Sequence, residues 1–286
     1  MASELLKRSE VKEENTWNVK DMYATQEDWE KELKDISEII ERVAAFEGKA
    51  AENAQNLFTV LENLAKAGEK LDKAYNYAER LFDEDQTNTT HQAMSAKAYS
   101  AYASCGSKTA FVDPEIIAIQ ENVLETFYKE VPELELYRKQ IAEIRRMKEH
   151  CLSSEMEKLL AMTAEMSQTP ADTFSILNNA DLVFPEIRDE NGESVRITHG
   201  RYGQFLQSSD RRVRKEAFEK LYQTYKQFLN TSASLYSGNI KQQVFHAKAR
   251  KYVSSLECAV DANHVSSSVY HNLIDTVNKN LDKMHH

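Results

Sequence analysis

The stretch VFPEIRDENGESVRITHGRY, residues 183–202, differs from the sequence on both sides of it. Two β-rich runs, about 182–187 and 193–198, flank Asn191-Gly192, a pair that tolerates the positive φ angles of a tight hairpin turn. Pro185 cannot donate to a ladder, which favours an edge strand. Elsewhere apolar residues recur at helical spacing of three and four. The pattern predicts a mainly α chain with one β-hairpin at about 182–198.

Long helices are also favoured by composition, because only seven glycines and four prolines occur in 286 residues. Thr25 with Asp28 predicts a helix start, and Gly48 predicts its end. The next apolar stripe begins near Leu57, pauses near Gly68 and resumes at Leu71. Two helices in antiparallel arrangement are expected from the short link.

Further helix boundaries are predicted from capping residues. Asp113 before Pro114 is typical of a capping residue followed by proline at the first helical position. Ser154 with Glu157 has the spacing of a capping box. Thr169 before Pro170 predicts another start, and Gly238 predicts a kink in a long later helix.

The charge balance argues against nucleic acid as a partner. Lys plus Arg number 36 against 46 Asp plus Glu, for a net charge of −10. The basic run Arg211–Lys215 is followed at once by Glu216 and Glu219, which indicates a solvated helix face more than a phosphate site. An acidic protein instead tolerates cationic or neutral substrates.

Cysteine usage and hydropathy indicate a cytoplasmic protein. Cys105, Cys151 and Cys258 are widely spaced and odd in number, which favours a reducing compartment over a disulfide framework. No leader-like apolar region begins the chain, and no window approaches about 18 uninterrupted apolar residues. No membrane association is therefore expected.

No complete active site can be read from the residues, so neither a catalytic residue nor a metal ligand is predicted. None of the eight histidines is followed by Glu, which excludes the His-Glu-x-x-His zinc motif. His264 and His271 could share a helix face, but His264 precedes the predicted cap at residues 266–268, which favours capping or surface roles. Cys151 directly follows His150, and adjacent helical residues do not face each other.

The final apolar pattern suggests a piece of a longer protein. Val269, Leu273, Val277 and Met284 are still in helical phase when the sequence ends, and no glycine or proline closes the helix. A docked C-terminal helix is the alternative.

Several segments resemble the oligoendopeptidase F family, bacterial zinc metallopeptidases of the thimet-oligopeptidase-like group. The most specific block begins FPEIRDENGESVRITHGRYGQF, residues 184–205, and continues through the helices that follow. TWNVKDMYATQEDWEKEL at residues 16–33, YAERLFDEDQTN at 77–88 and FVDPEIIAI at 111–119 match more loosely. The resemblance covers essentially the whole chain, but only as the N-terminal half of such a peptidase.

This resemblance implies an elongated multi-helix fold whose two halves enclose a channel, where short peptides are cut by a zinc-bound water. The zinc ligands and general base of that family lie in a motif that this sequence lacks. Zinc is therefore implied for the parent enzyme and not for this chain. The chain is expected to cap or shape the channel, to be inactive alone, and to have the C-terminal catalytic half as its partner.

The same resemblance implies three segments and one candidate site. Residues 1–112 and 113–181 would form helical regions, and residues 182–286 the hairpin and first helices of an incomplete catalytic domain. His199, Gly200, Arg201 and Tyr202 lie where the family passes into that domain and are channel candidates. The alternative is a structural turn, in which Gly200 supplies an unusual φ and Arg201 pairs with a carboxylate.

A second hypothesis is a complete non-catalytic helical module that binds peptides or a partner protein. It is motivated by the acidic surface and by aromatic-rich helices with 13 tyrosines. The length of the encoded reading frame would separate the two hypotheses.

Overall fold

The computed structural model describes residues 8–285, and the prediction of a mainly α fold with one hairpin is confirmed. The α-helices of this part of the chain are α1 (Gln26–Ala44), α2 (Ala54–Glu84), α3 (Thr89–Thr109), α4 (Val112–Ala118), α5 (Glu121–Glu130), α6 (Arg138–Arg146), α7 (Ser154–Met162), α8 (Ala164–Ile176), α9 (His199–Leu206), α10 (Arg211–Gln227), α11 (Leu229–Ala249), α12 (Ser255–Asp261), α13 (Ser267–Lys279) and α14 (Leu281–Met284).

Short irregular helices and one hairpin complete these elements. Five 3₁₀ segments are Arg8–Glu10, Glu13–Asn15, Val19–Asp21, Pro132–Tyr137 and Met147–Glu149, and a π-helical turn spans Leu177–Asp181. Strands β1 (Glu186–Arg188) and β2 (Ser194–Arg196) pair antiparallel, with Ile187 opposite Val195. Among residues 8–285, no helix is long and apolar enough to cross a membrane.

The chain divides into two compact units that are each discontinuous in sequence. The first unit runs to Ile36 and includes Gly68–Tyr102 and Gln168–Ser237, and the second unit comprises Ser37–Ala67, Ala103–Ser167 and the residues from Gly238 onward. The predicted division into residues 1–112, 113–181 and 182–286 stays a prediction.

The first unit is built around helical packing and the hairpin. Trp29 of α1 is fully buried, and its indole N–H donates to the Ala74 carbonyl of α2 at 2.9 Å, which satisfies the one polar atom that its burial would otherwise strand. At the hairpin, the buried side chains form one cluster with α10: Phe184, Ile187, Ile197, Val213, Ala217 and Leu221.

The core of the second unit lies between the end of α1, the start of α2, and α4 to α6. Its buried members include Val43, Leu57, Leu61, Ile116, Leu124, Leu134 and Ile141. Glu115 of α4 ties down the loop between α1 and α2, because its carboxylate accepts from the Gly48 and Ala50 N–H groups at 2.6 and 2.8 Å. Gly48 has a φ of +79°, in keeping with the predicted helix end.

Several predicted boundaries are corrected. Helix α2 continues through Gly68, where a pause was expected, because the flanking Ala67 and Leu71 are buried and hold the helix against its neighbours. Pro170 lies inside α8 instead of starting a helix. Its missing N–H leaves the carbonyl of Met166 without a helical donor, at a residue that is 71% exposed, so water can replace the lost bond. The later long helix breaks at Phe228, and Gly238 lies within α11.

The hairpin turn also differs from the prediction. Asn191 does not adopt positive φ; only Gly192 does, at +82°. The turn spans residues 189–193, where the Asp189 N–H donates to the Glu193 carbonyl at 2.9 Å, and the Asp189 carboxylate accepts from the Asn191 and Glu193 N–H groups. A type I turn closed by a left-handed glycine accounts for this pattern.

Candidate functional site

The four channel candidates lie together in the first turn of α9. Thr198 is the N-cap, and its hydroxyl accepts from the Arg201 N–H at 3.1 Å. Thr198 therefore starts the helix two residues after the end of β2, since a threonine cap satisfies one of the otherwise unpaired N–H groups of the first turn. The helix start fixes where all four side chains leave the backbone.

His199 is held by contacts within the first unit. Its Nε2 lies 3.2 Å from the Asn178 carbonyl, and its ring meets that of Phe184 edge to face at 5.1 Å between centroids. The side chain of Asn178 in turn accepts from the Tyr225 hydroxyl at 2.7 Å. The imidazole is therefore positioned by the π-helical turn and the hairpin core.

The structural-turn alternative was wrong for Gly200, whose φ is not positive; Gly48 and Gly192 are the positive-φ glycines among residues 8–285. Arg201 places Nη1 3.5 Å from the Arg196 carbonyl. Tyr202 packs against the hairpin cluster, and burial raises the pKa of its hydroxyl. The phenol is thus protonated at neutral pH and can donate a hydrogen bond. The role of these four residues as channel lining stays a prediction.

A groove beside the hairpin has a volume of about 630 Å³ and is lined by Pro185, Glu186, Arg196, Lys220 and Thr224, among others. None of residues 199–202 is among its lining residues. Two of these lining residues are bonded to each other, since the Lys220 ammonium donates to the Glu186 carbonyl at 3.0 Å. The structure thus separates the candidate cluster from this groove.

The basic run at the start of α10 is a solvated, paired face, as predicted. Arg212 pairs with Asp210 and Glu216, and Lys215 pairs with Glu219. The Arg212 guanidinium also donates to the Arg188 and Asp189 carbonyls at 2.9 and 2.8 Å. Arg212 therefore holds the hairpin against α10.

A group of charged residues that the sequence did not reveal lies in the second unit. Glu157 of α7 is 9% exposed, and its carboxylate accepts hydrogen bonds from Nη1 and Nη2 of Arg250 at 2.9 and 2.8 Å. The same carboxylate accepts from the Leu152 N–H at 2.9 Å. In a bidentate pair of this kind, two parallel charge-assisted hydrogen bonds add both strength and a fixed geometry.

The predicted capping box at this place was wrong in its first half. Ser153 is the N-cap of α7, and neither serine side chain makes a capping bond there. The Glu157 carboxylate does accept from a main-chain N–H, that of Leu152. It also forms an ion pair with Arg250, which is 93 positions away along the chain. The sequence spacing therefore singled out Glu157 correctly but predicted a capping serine as its partner, where the structure has Arg250.

Asp113 was likewise predicted as a cap and is not one. Helix α4 begins at Val112 after Phe111, with no side-chain capping bond. Asp113 instead lines a cavity of about 390 Å³ together with Glu157 and Arg250. Loss of hydration raises the pKa of its carboxyl group, repulsion by Glu157 adds to the rise, and Arg250 opposes it.

The neighbouring cysteine and histidines do not form a nucleophilic pair. Loss of hydration, aided by the charge of Glu157, raises the pKa of the Cys151 thiol to about 11, so it is not a thiolate at neutral pH. His150 stacks on Tyr252 at 3.7 Å between centroids, with Nδ1 2.8 Å from the Arg250 carbonyl. Burial lowers the pKa of His246, which favours its neutral form.

The fit to a zinc ion was tested on the donor sets of the described chain. Residues 8–285 contain no group of three or more His, Cys, Asp or Glu side chains that could hold a metal ion. His264 lies in a turn with a φ of +56°, and His271 lies in the following helix α13. His264 therefore lies outside the helix that carries His271, and the two imidazoles do not share a helix face.

Comparison with known families identifies the chain in two adjoining regions. Residues 115–184 match the family described as Oligopeptidase F, and residues 204–286 match Peptidase family M3. The chain belongs to the oligopeptidase F group of peptidase family M3. The hairpin and the cluster at 199–202 lie at the passage between the two matched regions.

Individual relatives agree with this assignment. The chain is 41% identical over 284 residues to Oligopeptidase PepF of Bacillus subtilis, across 99% of this chain and 42% of that protein. It is 36% identical to Group B oligopeptidase PepB of Streptococcus agalactiae, across 97% of this chain and 46% of that protein. The crystal structure of oligoendopeptidase-F from Enterococcus faecium superposes with a TM-score of 0.86 at 39% identity, covering 91% of this chain and 50% of that one. The chain thus spans less than half the length of these curated relatives.

Proposed function

We propose that this chain is the N-terminal portion of a zinc oligoendopeptidase that hydrolyses short peptides inside an enclosed channel. The observation that carries the proposal is the pair of family matches in series, Oligopeptidase F before Peptidase family M3, on a chain that spans about half of its relatives. Relatives named oligoendopeptidase support peptides as substrates. The reducing environment that suits three free cysteines supports a cytoplasmic enzyme.

In this proposal the zinc and the catalytic groups belong to the C-terminal half of the enzyme. The described residues hold no set of metal ligands, so the chain alone should not hydrolyse peptides. Its contribution is to cap or shape the channel. The C-terminal catalytic half is therefore its principal partner.

An exposed apolar row on the last helices is the surface to which we assign that partner. Val269, Leu273, Ile274 and Val277 of α13 are 41–61% exposed. Their spacing places them along one side of the helix. Contiguous exposed apolar surface is costly in water and marks interaction sites. The catalytic half is the occupant that fits, because the relatives continue over a length that this chain does not span.

The absence of activity in the isolated chain is the first test. The purified chain, supplied with zinc and a quenched fluorescent peptide, should show no turnover above buffer, whereas the enzyme from the longer reading frame should show turnover that a chelator removes. Turnover by the isolated chain that survives repurification and is abolished by a chelator would contradict the proposal. A reading frame that stops after His286 would instead favour the non-catalytic binding module.

The channel role of residues 199–202 is tested in the longer enzyme. We expect Arg201→Gln to raise KM for peptides roughly three- to tenfold with kcat nearly unchanged, since a cation at the channel wall would contribute one charge-assisted hydrogen bond to the substrate. Arg211→Gln is the matched control, because Arg211 is exposed in the first turn of α10. Equal KM values for both variants would assign the cluster to a purely structural role.

A further inference from the structure

The cavity beside Asp113 lies within the second unit and is lined by both polar and apolar side chains. It has a volume of about 390 Å³, and helices α2, α3, α4, α6, α7 and α11 supply its lining. Leu61, Leu64, Val112, Ile144 and Leu160 contribute its hydrocarbon surface. Volumes of this order are typical of sites for small organic groups.

The positive charge at this cavity is already neutralised. Both terminal nitrogens of Arg250 are bound to Glu157, and Nη1 also donates to the His150 carbonyl at 3.3 Å. Burial lowers the pKa of His246, so this residue carries little charge at neutral pH. The guanidinium is therefore not available to an anionic ligand.

Asp113 is the charge that remains without a partner. Within the described part of the chain, its carboxylate accepts no hydrogen bond and forms no ion pair, and the residue is exposed to solvent. Counting Asp113 and Glu157 against Arg250, with His246 neutral, leaves the lining with one net negative charge when Asp113 is ionised. Asp113 itself is exposed while it lines the cavity, and an ionised carboxylate beside a cavity attracts a cation.

The other polar atoms at the cavity are suited to accept hydrogen bonds. The Thr109 hydroxyl donates to the Cys105 carbonyl at 2.9 Å, which leaves its lone pairs as acceptors. Gln140 also lines the cavity and brings an amide oxygen. An ammonium group has three donors and no acceptor, so one carboxylate, one hydroxyl and one amide oxygen match it in kind and number.

We propose that this cavity binds an alkylammonium group, with the ammonium at Asp113 and the hydrocarbon chain against the leucine, valine and isoleucine walls. The ligand is a free alkylamine or the lysine side chain of a peptide, which share this chemistry. The site lies within the second unit and needs neither zinc nor the catalytic half. It therefore goes beyond the proposed peptidase function and is tested separately from it.

Calorimetric titration of the 286-residue chain with n-pentylamine and with Nα-acetyl-lysine methylamide tests the site. Pentan-1-ol and Nα-acetyl-norleucine methylamide are the uncharged counterparts of the two probes. We expect saturable binding of at least one amine, no comparable binding of its uncharged counterpart, and a loss of affinity of about tenfold or more in Asp113→Asn. Binding of pentylamine alone would identify a free amine as the ligand, and tighter binding of the lysine derivative would identify a peptide side chain.

Two further variants control the result. Asp72→Asn removes an aspartate from the exposed surface of α2 and should leave binding unchanged. Ala161→Phe fills the cavity from α7 while Asp113 remains, and it should abolish binding; it also decides the matter if Asp113→Asn does not fold. No saturable binding of either amine, equal binding of the uncharged probes, or full affinity in either cavity variant would overturn the proposal.

Discussion

Asp113 and Asp261 are aspartates of the second unit whose surroundings shift their pKa values in opposite directions. Loss of hydration raises the pKa of Asp113, whereas the hydrogen bond from the Tyr252 hydroxyl at 2.7 Å and the nearby Arg146 lower that of Asp261. Both groups therefore couple folding to pH, with opposite sign.

Asp113→Asn should raise the melting temperature at pH 7 or leave it unchanged. The unfolded chain ionises Asp113 near pH 4, while the folded chain resists ionisation, so the wild-type residue reduces stability as pH rises from there through its folded pKa. The variant removes this loss, and its advantage should vanish below about pH 3. Thermal unfolding by circular dichroism between pH 3 and 8 measures the difference. A lower melting temperature of the variant at pH 7 with no change in acid would contradict the assignment.

Asp261→Asn is the matched opposite case. Its folded-state pKa is lowered, so the stability that it contributes is present above the unfolded pKa and is lost as pH falls through the folded value. We expect a lower melting temperature at pH 7, by the equivalent of about 1–3 kcal/mol for a hydrogen-bonded charge, and convergence with the wild type in strong acid. A constant difference at every pH would assign the loss to packing and not to charge.

At the scale of elements, the hairpin turn and the start of α9 each contain a glycine with a different conformation. Gly192 has a φ of +82°, whereas Gly200 does not, and a Cβ atom added at Gly200 meets no atom within 4 Å. Gly192→Ala should destabilise by about 1–2 kcal/mol, because an L residue is strained in the left-handed region. Gly200→Ala should be neutral or stabilising by up to about 1 kcal/mol.

Urea unfolding of the two glycine variants measures both effects with the same substitution. Only the Gly192→Ala variant places an L residue in the left-handed region. The difference between the two free energies of unfolding therefore measures this strain better than either value alone. Equal effects at the two positions would mean that the turn relaxes to accept alanine.

Predictions of element boundaries were correct where the deciding contacts are local. Thr25 caps α1, since its hydroxyl accepts from the Asp28 N–H at 3.2 Å and donates to the Asp28 carboxylate at 3.0 Å. The same reasoning was wrong at Ser154 and Asp113, near which Arg250 lies, directly after the end of α11. A capping bond stabilises by about 1 kcal/mol, and at the start of α7 the ion pair of Glu157 with Arg250 replaces it.

At the scale of the whole molecule, the exposed apolar row on α13 predicts self-association of the isolated chain. We expect sedimentation velocity to show a concentration-dependent shift to larger species, because pairing of two chains would remove this surface from water. Leu273→Glu, at a residue 61% exposed, should weaken the shift by placing a charge within the row.

Leu136→Glu is the control for this experiment, because Leu136 is 83% exposed but lies away from α13, in the 3₁₀ segment Pro132–Tyr137. A monomer at all concentrations, or equal effects of the two variants, would argue against α13 as the docking surface. If the proposed function holds, the same Leu273→Glu change should also weaken docking of the proposed catalytic half.

The sequence by itself determined the helical class, the position of the hairpin and the family. Each of these depends on patterns that repeat within a few residues, or on a run of matched residues such as 184–205. Tertiary structure alone decided which charges meet. Glu157 and Arg250 are 93 positions apart, and the pKa of Asp113 is raised only when folding removes part of its hydration and brings Glu157 near it. Hydration and long-range charge depend on the folded surroundings of a residue, which its neighbours in sequence do not specify.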